Sequence, residues 1–82
     1  MFIEITTQNL DKDNIPIGEP FKMMINVDAI DDIMKITEEE KKEQCIPPNF
    51  NARLIKMYGY NERVVYYIFN TYEELKNKLK SI

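Results

Sequence analysis

The chain has 82 residues, no histidine, one cysteine and a net charge of −3. That length makes one domain with a thin core, burying only about 60% of the surface its unfolded chain exposes. A lone cysteine forbids an intrachain disulfide, and the missing histidine removes the commonest zinc ligand and any Cys-His nucleophile pair. By elimination, self-association gains weight as a source of stability.

The chain starts MFIEIT, with Ile3 and Ile5 alternating against Phe2, Glu4 and Thr6, the period of a strand. It has no basic start and no long apolar run, so neither a signal peptide nor a membrane span is expected, and a single reduced cysteine fits the cytoplasm. Residues 7–20 carry Pro16, Gly18 and Pro20 and are expected as a loop excursion or wide hairpin connection, because proline cannot donate to a sheet ladder. Alternation resumes at FKMMINV, placing Phe21, Met23, Ile25 and Val27 on one face and Lys22, Met24 and Asn26 on the other. An acidic turn, DAIDD, precedes a short third strand at 33–36.

Residues 37–51 combine a charged run with Pro47 and Pro48 and are expected as an exposed excursion, with Thr37 and Glu40 able to cap a short helix. On this parse all four prolines fall in loops. ARLIKMYGYNERVVYYIF reads as a hairpin turning at Gly59 and Asn61. The clearest element is the last. Thr71 and Glu74 form a capping box, and Tyr72, Leu75, Leu79 and Ile82 follow as one helical stripe. Glu73 and Glu74 sit at the positive end of the dipole and Lys76, Lys78 and Lys80 toward the negative end. The expected fold class is α+β, a mainly antiparallel sheet of four or five strands with one C-terminal helix packed on one face.

Little in the chain points to chemistry. Cys45 is expected as a free, partly buried structural residue. DKDNIPIGEPFK starts like a calcium loop but has Pro16 where glycine is needed and Lys22 where the terminal glutamate belongs, so Asp11, Asp13 and likewise Asp28, Asp31 and Asp32 read as turn and cap residues. No catalytic residue, metal site or cofactor is expected. Tyr58, Tyr60, Tyr66 and Tyr67 lie near Arg53, Lys56 and Arg63 in sequence, a mixture that can stack single-stranded nucleic acid. The acidic chain argues against that, and protein interfaces enrich the same residue types.

Charge is uneven. Residues 1–44 hold 11 acids and 5 bases (−6), and residues 45–82 hold 3 acids and 6 bases (+3). Such asymmetry can steer docking. Isoleucine, asparagine and lysine together supply 29 residues (12, 8 and 9), the bias of an AT-rich bacterial or phage genome.

In the hairpin's second strand Val64, Tyr66 and Ile68 are assigned to the helix, which leaves Val65, Tyr67 and Phe69, with Met24 and Met57, as an apolar patch on the opposite face. Soluble monomers seldom expose such a patch. The expected interface is therefore these five residues, and the expected partner another copy of the chain or a different protein.

The fragments MFIEIT, INVDAI with DIM, and TYEEL after a hairpin resemble, in that order, the family of very short bacterial and phage proteins that includes the flagellar FlbD proteins. The matching positions are Ile25, Asn26, Val27, Asp28 and Ile30, then Ile68, Thr71, Tyr72, Glu73, Glu74 and Leu75. About half of the chain is covered, and segments 7–20 and 37–51 are longer than the family's tight turns. The resemblance implies a small non-catalytic accessory protein and carries over no catalytic residue. The alternative is a phage-encoded inhibitor whose acidic segment 28–43 blocks a host protein.

Overall fold

A computed structural model describes residues 1–80. Five strands form one sheet: β1 (Phe2–Leu10), β2 (Pro16–Asn26), β3 (Ile30–Lys35), β4 (Ala52–Tyr58) and β5 (Glu62–Ile68). Their order across the sheet is β2-β1-β5-β4-β3, and every neighbouring pair is antiparallel. Among the described residues two α-helices, α1 (Glu38–Glu43) and α2 (Tyr72–Lys80), and one short 3-10 turn, Val27–Ala29 between β2 and β3, complete the fold. The α+β class with a C-terminal helix on one sheet face is as the sequence predicts.

The main core lies between α2 and the face of the sheet built by Ile3, Ile5, Ile25, Ala52, Leu54 and Ile68, with Leu75 fully buried at its centre. Tyr66 and Leu79 pack around it. The period-2 and period-3.6 patterns read from sequence meet here. Thr71 caps α2, its hydroxyl oxygen accepting from the Glu74 N–H at 3.1 Å and its proton facing the Glu74 carboxylate at 3.2 Å. Ile82, expected on the same stripe, lies outside the described residues.

Two expectations about loops need correction. The segment 7–20 is mostly hairpin: β1 runs on to Leu10 and β2 starts at Pro16, joined by a turn in which Asp11 Oδ1 accepts from the N–H groups of Asp13 (2.8 Å) and Ile15 (2.9 Å). Pro16 and Pro20 therefore lie in a strand. They are tolerated because β2 is an edge, where a missing N–H costs nothing if it faces outward. The ladder slips between Thr7 and Asn9, and Gly18, at φ 72°, sits in the irregular stretch.

The segment 37–51 is not an exposed excursion. It folds over the second face of the sheet and makes a separate small core from Ile36, Ile46 and Phe50, against which Leu10, Tyr67 and Phe69 pack. Its few apolar residues are widely spaced, yet Ile46 and Phe50 are buried together with Ile36, which immediately precedes the segment. A turn in which the Phe50 N–H donates to the Pro47 carbonyl at 3.3 Å separates Ile46 from Phe50.

The two halves of the sheet, β1–β2 and β3–β4–β5, meet along a short seam. The β1–β5 register holds at one position, Thr7 opposite Ile68. Side chains extend it: Thr7 Oγ1 donates to the Tyr67 carbonyl at 2.7 Å, and the Thr6 N–H donates to Asn70 Oδ1 at 2.8 Å.

Candidate interaction surface

The second face of the sheet divides into a covered end and an open end. At the covered end, α1 and the chain after it form a strap. Phe50 stacks edge-on against Phe69 (centroids 4.6 Å, 61° between planes) and Tyr67 (6.4 Å, 72°). Arg53 of β4 pairs with Glu40 of α1. Lys41 is buried, its ammonium donating to the Pro48 carbonyl at 3.0 Å and lying 3.4 Å from the Glu38 carboxylate. Asn14, from the β1–β2 turn, donates to the Gln44 carbonyl at 2.8 Å.

The five residues expected to form one interface are thus separated. Tyr67 and Phe69 sit under the chain's own strap, which supplies the cover that sequence reasoning assigned to a partner. Val65 remains 48% exposed. Met57, half-buried, alternates with Ile55 on the same face. Ile55 stands opposite Val65, and Met34 of β3, 42% exposed, lies opposite Arg53. Met24 belongs elsewhere: it pairs with Glu4 on the far edge, with exposed Phe2 two residues along. The open strip is therefore Met34, Ile55, Met57 and Val65. Sequence reasoning missed Met34 and Ile55, although Met34 alternates visibly with Ile33. Arg63 borders the strip, its Nε 3.3 Å from the Asp31 carboxylate.

An open cleft of about 300 Å³ separates β1 from β5 where the seam ends, lined by Thr7, Gln8, Asn14, Val65 and Tyr67 among others. Its polar side chains hold the framework: Gln8 donates to the Gly18 carbonyl, Asn14 to Gln44 and Thr7 to Tyr67. A second groove of about 320 Å³ runs between β3 and α2, lined by Ile30, Asp31, Asp32, Ile33, Tyr72, Lys76 and Leu79. Lys76 lies over the Tyr72 ring, 5.1 Å from its centroid. A hydrogen bond to Tyr72 raises the Lys76 pKa above that of a free lysine, so it is fully cationic at neutral pH.

The tyrosines do not form one stacking platform. Tyr58 and Tyr66 are in register with the helix-covered face, while Tyr67 is on the other and packs against Phe50. Among the described residues no group of three or more His, Cys, Asp or Glu is placed to hold a metal, and no helix is long and apolar enough to cross a membrane. Cys45, expected partly buried, is exposed. It occupies the left-handed position after α1 at φ 56°, and the next N–H, of Ile46, donates back to the Lys41 carbonyl at 2.9 Å. This helix-ending turn points the Cys45 side chain outward and Ile46 inward. Comparisons with family models, curated proteins and solved structures each find no match to the chain.

Proposed function

We propose that this chain is a small non-catalytic accessory protein of a bacterial or phage cytoplasm that acts through protein–protein contacts, copies of itself included. The observation that carries this is the strip of Met34, Ile55, Met57 and Val65, an apolar row on the same face as the strap but outside the cluster it covers. Protein interfaces are enriched in methionine and arginine, and here Met34 and Met57 lie in the strip with Arg63 beside it. The resemblance to short accessory proteins points the same way. An acidic inhibitor presenting 28–43 has less support, because Asp31, Glu38 and Glu40 already pair with Arg63, Lys41 and Arg53.

The test is recovery from source cells with the tagged parent and with Val65→Glu, followed by mass spectrometry. The expected outcome is that a protein, the untagged chain or another, is retained by the parent and lost with Val65→Glu at unchanged melting temperature. Retention of nothing, or equal retention by both baits, would refute the proposal.

A further inference from the structure

The strap is a loop with a closed base. The Ile36 N–H donates to the Asn51 carbonyl at 3.2 Å. Asn51 is in turn fixed to the end of β5, its N–H donating to the Ile68 carbonyl (2.9 Å) and its side-chain amide to the Phe69 carbonyl (2.7 Å). Residues 37–50 can therefore leave the sheet without moving the strands on either side, as in a compact surface loop whose ends meet. Thr37 caps α1, the Ile46 N–H returns to Lys41 and the Lys41 ammonium to Pro48, so these bonds travel with the strap. Among the described residues, its polar ties to the rest of the chain beyond that base are Glu40 on Arg53 and the Asn14 amide on the Gln44 carbonyl. Its apolar ties are Ile46 and Phe50, packed with Leu10, Tyr67 and Phe69 in a cluster separate from the core under α2.

What the strap covers is continuous with what it leaves open. Met34, Arg53 and Tyr67 form one cross-strand row, and Ile55 and Val65 lie in the next row on the same face. Arg53 thus stands between the open strip and the covered rings. Its side chain is 21% exposed, and its Nε has no hydrogen-bond partner among the described residues. A guanidinium buried to this degree is destabilising without an anion beside it. Glu40 supplies that anion, and Phe50 supplies the apolar surface for Tyr67 and Phe69.

We propose that the strap is a displaceable internal ligand. Glu40 and Phe50 hold the places that an acidic residue and an apolar side chain of a partner protein take when the strap swings out. This rests on the proposed function and names the contact chemistry of its partner: a carboxylate for Arg53 next to an apolar group for Tyr67 and Phe69. With the strap out, Arg53, Tyr67 and Phe69 join Met34, Ile55, Met57 and Val65 in one surface of aromatic, methionine and arginine side chains, the types enriched at interfaces. The closed strap competes with the partner, so apparent affinity is scaled by the fraction of molecules that are open.

The test uses the full chain and, as probe, a dye-labelled peptide of the strap's own sequence, TEEEKKEQCIPPNFN, under reducing conditions. In the parent, the Lys41, Gln44 and Ile46 amides should exchange roughly a hundredfold faster, relative to their intrinsic rates, than those of β4 and β5. Glu40→Lys should speed strap exchange by about tenfold more, with β4 and β5 unchanged. The same variant should bind the peptide roughly tenfold or more tightly than the parent, by fluorescence anisotropy, because its own strap competes less. Adding Arg53→Glu to that chain restores an ion pair of reversed sign, so strap exchange should slow again and peptide binding disappear. A peptide carrying Glu40→Lys should not bind the Glu40→Lys chain. Strap amides that exchange together with β4 and β5, in the parent or in Glu40→Lys, overturn the proposal. So does a Glu40→Lys chain whose strap exchanges fast but which binds neither peptide, or binds both alike. Each of these failures leaves the proposed function standing if Val65→Glu still abolishes partner retention, since Val65 lies outside the cluster that the strap covers.

Discussion

The two faces of the sheet are covered by different means. On one, a nine-residue helix with its own cap lays a periodic stripe on alternating strand residues, and Leu75 reaches a core gathered from four of the five strands. On the other, a strap with a six-residue helix contributes Ile36, Ile46 and Phe50, ten and four residues apart, and is held by Glu40–Arg53, Lys41–Pro48 and Asn14–Gln44. The first cover is dictated by period, the second by a few anchors at irregular spacing. A six-residue helix is below the length at which helices hold in isolation, so α1 depends on its anchors.

Removing the central anchor of each cover gives the largest effects and separates the two modes. Phe50→Ala should cost about 3–5 kcal/mol and Leu75→Ala about 2–5 kcal/mol, both being fully buried. A domain of this size has a total stability of roughly 4–12 kcal/mol, so either change is severe. The distinguishing measurement is amide exchange. Leu75→Ala should lower protection across β1, β4 and β5 together, since its contacts span the sheet. Phe50→Ala should first release the amides of residues 40–46, with β1 and β2 retaining protection. Uniform loss in both variants would mean that strap and helix fold as one unit.

The same contrast explains what could be read from the sequence. The helix-covered face was legible because Ile3 and Ile5, Met23 and Ile25, and Tyr66 and Ile68 alternate, and because Tyr72, Leu75 and Leu79 recur at helical spacing. The strap core was not, because Ile46 and Phe50 stand among prolines and charges with no period to connect them. That omission led to the wrong cover for Tyr67 and Phe69: their apolar character is real, but the segment that buries it is local rather than foreign. Proline also misled at 16 and 20, since its exclusion from sheets applies to central strands and β2 is an edge. The position of an edge follows from strand order, which no local pattern states.

A smaller effect is expected at the seam, where both covers must agree on how β1 meets β5. Asn70 accepts the Thr6 N–H that the short β1–β5 ladder would otherwise leave unpaired. Asn70→Ala removes that acceptor and should cost about 1–2 kcal/mol in urea unfolding. Asn70→Asp keeps an oxygen in place and should recover most of the loss. If alanine and aspartate behaved alike, the seam would be held by packing across it, Leu10 against the strap core and Ile5 against the helix core, and not by this bond.

The smallest effect concerns Cys45, and it has the opposite sign. The residue ends α1 in a left-handed conformation, φ 56°, that disfavours any side chain with a Cβ by roughly 1–2 kcal/mol. Glycine relieves this but adds freedom to the unfolded chain, worth about 0.5–1 kcal/mol in the other direction. The net expectation for Cys45→Gly is a stabilisation of about 0.5–1 kcal/mol, seen in urea unfolding with the slope unchanged. Cys45→Ala keeps the strain while removing the thiol, so it should match the parent. Because the strain is local to the strap, the gain should appear as slower exchange of the Gln44 and Ile46 amides, which donate to Glu40 and Lys41, with the helix-covered strands unaffected. A gain shared equally by alanine and glycine would trace to the thiol and would remove backbone strain from the account of how the strap is held.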